Sequence, residues 1–227
     1  MSRQIWTIYH GSPQIVEQPD LQKGKPTNDF GRGFYCTKSP ELAKEWACPI
    51  RADGFANRYE LSVRELSLIR LNEEPYTMMH WLALLLDNRK VRVQSPLGIR
   101  AEKFLKDHFL PDVSNADVII GYRADDSYYS FARSFLNNSI TYAQLKKAMH
   151  LGELGEQVVL KSDKALSRLK YRGAERVEER IYYPLRIARD RRANEDYQRL
   201  LKEEDTEGVY LIDLLRGEVD GNDPRLQ

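Results

Sequence analysis

The chain is poor in the features that would place a protein quickly. It has two cysteines, Cys36 and Cys48, one of them in an expected strand, among 227 residues. That number favours reduced thiols over a disulfide framework, and no Cys/His spacing suggests a metal site. Charge of one sign is missing too: with a net charge of +1 there is no global field to gather nucleic acid or to hold an anionic membrane. No apolar run reaches the length of a membrane span, and the opening Met-Ser-Arg-Gln-Ile-Trp lacks the apolar stretch of a signal peptide. These absences lead us to expect a cytoplasmic protein that binds no membrane and no metal. Internal repeats and low-complexity segments are absent as well.

What is present is a mixture of strand and helix signals. Gln4 to Tyr9 alternates and is rich in Ile, Trp and Tyr, as a strand would be. Pro13, Pro19, Gly24 and Pro26 make 11–30 a loop, and Gly33 to Thr37 is a short second strand. Ser39-Pro40-Glu41 is a helix start, with a hydroxyl cap, a proline at the first position and an acid beside the exposed amides. Leu42, Ala43, Trp46 and Ala47 then fall on one face of that helix. Further strands are expected over 57–61, 66–71, 117–121 and 157–160, and helices over 76–87, 100–109, 127–136, 141–149 and 163–169. Strands and helices do not alternate strictly, so an α+β fold is expected over a doubly wound one. We divide the chain into residues 1–177 and a charged helical extension, 178–227.

Two fragments stand out chemically: Tyr9-His10-Gly11-Ser12, and Asp29-Phe30-Gly31-Arg32-Gly33-Phe34-Tyr35 about twenty residues later. Each is a glycine-lined strand end beside aromatic or polar groups, suited to the approach of a flat ring. Gly31 and Gly33 alone would indicate only a tight turn, and Trp46 alone only a core residue. Arg32 reads either as a solvated loop charge or as a contact for a pyrophosphate oxygen. Asp125-Asp126 is most simply a helix cap, and Arg123 ends a buried strand. The basic residues Lys161, Lys164, Arg168, Lys170 and Arg172 form a run that usually means a solvated face, with nucleic-acid contact as the alternative. His80, His108 and His150 lack metal spacing and are taken as structural.

Taken in order, His-Gly-Ser, Gly-x-Gly-Phe-Tyr, an aromatic eleven residues further on and a Glu/Gln-led strand resemble the ADP-ribosyltransferase superfamily. The resemblance is to its diphtheria-toxin and poly(ADP-ribose) polymerase branch, with a His-Tyr-Glu triad. More narrowly, residues 8–171 resemble a bacterial family of unassigned function, DUF3990. The motifs that carry this are Tyr-His-Gly-Ser, Asn-Asp-Phe-Gly-Arg-Gly-Phe-Tyr, Ile-Gly-Tyr-Arg-Ala-Asp-Asp and Glu-Gln-Val-Val.

The resemblance implies a split β-sheet core with surrounding helices, NAD as substrate and transfer of ADP-ribose to a macromolecular acceptor, protein or nucleic acid. A bacterial toxin or phage-defence effector with an antitoxin partner would fit. It further implies that Gly11 and Ser12 hold the nicotinamide carboxamide, that His10 binds ribose, and that Tyr35 and Trp46 enclose the ring. Tyr9, Gly33 and Phe34 complete the cofactor wall. The third triad position is Glu156 or Gln157, which cannot both face the cleft because they are neighbours on a strand; Glu153 is a further candidate. A non-catalytic NAD- or ADP-ribose-binding module, an interaction domain and an NAD glycohydrolase are the competing classes. If the acceptor is a protein, Tyr128, Tyr129 and Phe131 are candidates for an aromatic contact patch.

Overall fold

In the computed structural model, residues 4–49, 51–89, 95–124, 126–151, 155–203, 205, 207–217, 219–220 and 223–226 are described. Among them are two sheets and eight α-helices in an α+β arrangement. The first sheet is antiparallel, with β1 (Ile5–Ser12) beside β3 (Gly54–Ser62) and β3 beside β7 (Leu169–Val177). The second has the order β2 (Phe34–Cys36), β6 (Glu156–Leu160), β5 (Val118–Tyr122), β4 (Leu68–Arg70); only β4 and β5 run parallel.

Strand alternation sorts the side chains of these sheets into distinct cores. Ile8, Tyr59 and Leu61 of the first sheet meet Phe34, Cys36, Val118, Ile120, Val158 and Leu160 of the second in a shared apolar layer. On its other face, the second sheet offers Ile119 and Val159 to a helical layer. That layer is built on α2 (Met78–Asn88), α3 (Pro96–Phe109), α4 (Asp126–Leu136) and α5 (Tyr142–Ala148). The eleven residues of α2 are apolar nearly all round, and Met78, Met79, Trp81, Leu82, Leu84, Leu85 and Leu86 are all buried. The Ser39 hydroxyl caps α1 (Pro40–Ala47) by accepting from the Leu42 amide, as its Ser-Pro-Glu start predicts. The short helix α6 (Asp163–Ser167) separates β6 from β7.

One strand is absent from the sequence expectations. Leu169–Val177 carries Lys170, Arg172, Glu175 and Arg176 on its exposed positions, a charge density that masks its alternation. Such charge is what a sheet edge needs to discourage pairing with another chain. Helix α3 also begins earlier than its charged segment suggests, at Pro96 behind a Ser95 cap. The cap expected at Asp125 and the candidate Glu153 lie outside the described residues.

The C-terminal segment is helical, as α7 (Glu179–Leu200) and α8 (Leu211–Arg216), and it packs into the helical core through Tyr197, Leu200, Leu211 and Leu214. Against α1 it packs Tyr182 on the Ala43 and Ala47 cluster and adds a forked ion pair. The Arg189 guanidinium donates to Glu45 through Nε at 2.9 Å and Nη2 at 2.8 Å, and the Glu45 side chain is 6 % exposed. A forked pair of this kind fixes geometry as well as charge.

Truncating Arg189 would strand a buried carboxylate, so Arg189→Ala should lower stability by about 3–5 kcal/mol. The double variant Glu45→Met/Arg189→Met should recover most of that loss. Urea unfolding of the three proteins checks both expectations, and equal losses in the single and double variants would contradict them.

Candidate functional site

The two sheets meet at one bridge. The Tyr9 amide donates to the Thr37 carbonyl at 2.8 Å, and the Thr37 amide returns a bond to the Tyr9 carbonyl at 2.9 Å. Continued in register, Gly11 would face Tyr35. Instead the strands part: the His10 imidazole turns into the split and its Nδ1 donates to the Tyr35 carbonyl at 2.7 Å. Since Tyr9 spends its amide and carbonyl on β2, alternation turns those of Gly11 to the same edge, away from β3 and into the opening. An amide donor and a carbonyl acceptor side by side match a primary carboxamide.

The glycine at this place has a packing reason as well. A Cβ on Gly11 would sit 2.0 Å from the Ala43 carbonyl oxygen and 2.7 Å from the Ala47 amide nitrogen, so α1 lies directly on the strand backbone. Trp46, near the end of α1, is half-buried, and the Arg123 guanidinium lies 4.3 Å from its ring centroid. The wall expected from Trp46 therefore stands where β5 ends.

Alternation also separates the two candidates at the head of β6. Gln157 faces the same way as Val159, whose cross-strand partner is Tyr35. Glu156 falls with Val158 and Leu160 on the opposite side, where the His10 ring lies 4.4 Å from that of Phe34. The Glu156 carboxylate accepts a hydrogen bond from Asn72 Nδ2. Asn72 lines a separate cavity of about 480 Å³ with Tyr76, Tyr122, Tyr142, Lys146 and His150. Gln157 and Tyr35 thus share one face of the second sheet, and His10 meets that sheet from the split, its ring against Phe34 and its Nδ1 on the Tyr35 carbonyl.

The loop leading into β2 is clamped from several sides. The Tyr35 hydroxyl accepts from the Phe30 amide at 3.0 Å and donates to the Gly31 carbonyl at 2.7 Å, and burial holds its pKa well above the usual phenol value. Lys161 Nζ donates to the Phe30 and Arg32 carbonyls, each at 2.5 Å, and burial lowers its pKa. Gly31 has φ +72, and a Cβ there would meet Asn88 Oδ1 at 2.5 Å, so the turn requires glycine. Gly33 is buried against Val159, and Arg32 is exposed, donating to the Gln22 carbonyl at 2.8 Å.

Two residues without a role in the sequence expectations organise this region. Asp29, 6 % exposed, accepts from Gln157 Nε2 at 3.0 Å and from the Ala124 amide at 2.9 Å, and forms an ion pair with Arg89, whose Nε lies 3.1 Å from Oδ1. Asn57, fully buried opposite His10, shares its two Nδ2 hydrogens among the His10 and Gln14 carbonyls and the Ser12 hydroxyl, and its Oδ1 accepts from the Val16 amide. Ser12 also donates to the Gln14 carbonyl, so its hydroxyl shapes the exit of β1. The only sequence signal was polarity inside an apolar strand for Asn57 and membership of the Asn-Asp-Phe-Gly motif for Asp29.

Other expected residues lie elsewhere. Tyr9 packs on the α1 side of the first sheet, where it lines a groove with Lys44, Arg58 and Arg172. Phe131 is buried, and Tyr129 lies beneath the Arg89 guanidinium. In the basic run, Lys164 pairs with Asp117, Arg168 with Glu65 and Arg172 with Glu60. Among the described residues no cluster of His, Cys, Asp and Glu could hold a metal, and no helix is long and apolar enough to cross a membrane.

Burial lowers the pKa of His10, partly offset by its bond to Tyr35, and it lowers that of His80, whose Nδ1 accepts from the Thr77 amide at 3.0 Å. A carbonyl can only accept, so neutral His10 carries its proton on Nδ1 and keeps Nε2 as an acceptor. The unfolded chain takes up these protons near pH 6.5 and the folded protein only at lower pH. The stability that the neutral rings contribute is therefore complete above pH 6.5 and falls as pH drops, by at most about 1.4 kcal/mol per pH unit for each ring. Urea unfolding between pH 7.5 and 5.5 should show this slope, and His10→Gln should flatten it. An equal slope in both proteins would contradict the assignment to His10.

Searches of the curated proteins and of the solved structures return no match. The profile of a family described as "Protein of unknown function (DUF3990)" matches residues 6–171 and so takes in β1, the split, the loop before β2 and the head of β6. On that match, the chain belongs to the DUF3990 family.

Proposed function

We propose that this protein is an NAD-dependent mono-ADP-ribosyltransferase acting on a macromolecular acceptor. The observation that carries the reading is the split beside the Tyr9–Thr37 bridge. There the Gly11 amide and carbonyl face an opening, with the acceptor Nε2 of His10 in the split and Tyr35 and Gln157 on the adjoining face. In this reading Gly11 holds the nicotinamide carboxamide at two points, the Tyr35 ring stacks on the nicotinamide, and Trp46 with Arg123 closes the site. His10 accepts from a ribose hydroxyl, and Gln157 is the third member of the set, in place of a glutamate.

The reaction breaks the nicotinamide–ribose C–N bond, and its electron pair leaves with nicotinamide. An oxocarbenium-like ribose remains, which a nucleophile of the acceptor attacks as it gives up its proton. A site that orients the ribose hydroxyls before charge develops favours that state over the ground state. Gln157 orients without adding a charge, which suits a reactive acceptor. The pairing of Lys164, Arg168 and Arg172 with acids leaves little of the basic run for a nucleic-acid backbone and favours a protein acceptor. A toxin or defence effector with an antitoxin is the biological role that fits such an enzyme.

The glutamine at position 157, where the resemblance implies a glutamate, favours a second reading, a module that binds NAD or ADP-ribose without turnover. Labelled NAD incubated with the protein and a lysate separates the two. The enzyme should release nicotinamide and label the protein fraction, and His10→Ala or Gln157→Ala should each slow this by about a hundredfold. Calorimetric NAD binding without nicotinamide release would establish the module, and free ADP-ribose without labelled acceptor a glycohydrolase. Neither binding nor turnover would reject both readings.

A further inference from the structure

We propose that Asp29 is a positioning residue that sets the side-chain amide of Gln157, so that Gln157 Oε1 is presented to the ribose hydroxyls of NAD. The inference rests on the reading above for its ligand, and on the geometry alone for the placement.

Gln157 is 3 % exposed, and its Nε2 has two acceptors, Asp29 Oδ2 at 3.0 Å and the Tyr122 carbonyl at 3.1 Å. An amide nitrogen carries two hydrogens, and both are thereby spent. Turning the amide over would set Oε1 against a carboxylate oxygen and a carbonyl oxygen at about the same distances. Two lone-pair contacts would then replace two hydrogen bonds in a buried place, where unmet polar groups are costly. The orientation is therefore chosen by chemistry, and Oε1 is turned away from Asp29 and Tyr122 as the acceptor that remains. A carboxylate at position 157 would instead meet Asp29 as a like charge.

Asp29 is itself fixed. Oδ2 also accepts from the Ala124 amide at 2.9 Å, and Oδ1 forms an ion pair with Arg89 Nε at 3.1 Å. Arg89 is anchored by Nη1 to the Ala124 carbonyl at 2.8 Å and lies over the Tyr129 ring. Arg89 balances the charge of Asp29, so the cluster supplies orientation and not net charge. The same cluster ties the loop before β2 to the strand that carries Gln157.

The placement is read by NMR on the full chain. The two Gln157 Nε2 protons, assigned by their loss in Gln157→Ala, should be displaced from free-amide positions and exchange slowly with solvent. Asp29→Asn should move the proton bonded to Asp29 toward an ordinary position and faster exchange, while the proton bonded to the Tyr122 carbonyl changes less. Ordinary, fast-exchanging protons in the wild-type protein, or protons indifferent to Asp29→Asn, would overturn the placement whether or not the protein turns over NAD.

The role is read by a double-variant cycle on kcat/KM for nicotinamide release. Asp29→Asn should lower it at least tenfold, mostly in kcat, and in the Gln157→Ala background the same change should cost less than twofold. A general loss of fold would multiply the two effects, and a multiplied result overturns the role. If the wild-type protein shows neither NAD binding nor nicotinamide release, NAD is removed as the ligand and the functional half of the proposal falls with the proposed function. The NMR result would then decide the placement by itself.

Discussion

The Tyr9–Thr37 bridge is the point from which the geometry of this molecule follows. Two backbone hydrogen bonds join the sheets there. Had β1 and β2 stayed paired past it, one continuous sheet would have resulted, with the Gly11 and Tyr35 backbones satisfying each other. The His10 side chain occupies the Tyr35 carbonyl, and the edges diverge with polar groups turned into the opening. A sheet edge is costly to leave unpaired in an interior, so a split of this kind is stable only where something polar can enter.

Around that split, several unrelated devices hold one loop still. Lys161, the Tyr35 hydroxyl and the Asp29 cluster all act on the short segment 29–32. None of these contacts is apolar, and each is largely removed from water, where a hydrogen bond is worth more than at the surface and its loss is costly. A buried polar cluster of this sort adds little to stability compared with an apolar core. What it contributes is a single orientation for the groups it contains. Gln157 benefits most, because an amide has two faces of nearly equal shape and only its partners distinguish them.

Much of the scaffold was legible in the sequence because its signals are local. The Ser39-Pro40 start of α1, the Thr141 cap of α5 and the apolar mass of α2 need no knowledge of distant residues. The strand at 169–177 was not legible, since its exposed charges describe an edge and not a core. Strand alternation says that Glu156 and Gln157 oppose each other, but which of them joins Tyr35 depends on the pairing of Tyr35 with Val159. The basic residues after β6 looked like a patch because their partners, Glu60, Glu65 and Asp117, lie far away in the chain. Asp29 was visible only as part of a motif, because its three partners come from three different segments.

The stretch between the two motifs is pinned firmly at both ends and more lightly between. Asn57 and Tyr59 hold residues 14–16 to β3, while Lys161 and Tyr35 hold residues 30–32 to the second sheet. From Glu17 to Thr27 the chain is exposed or half-exposed, anchored by the Asp20 turn, the Arg32–Gln22 bond, Leu21 against the core between the sheets and Gly24 against the Gly33 backbone. Loop-closure entropy grows only slowly with length, so this arc can lengthen, shorten or change composition while both anchors keep their places. Change in this arc is thereby separated from the polar cluster that holds residues 29–32. Two members of such a family could differ widely in what they admit there and still share the same interior.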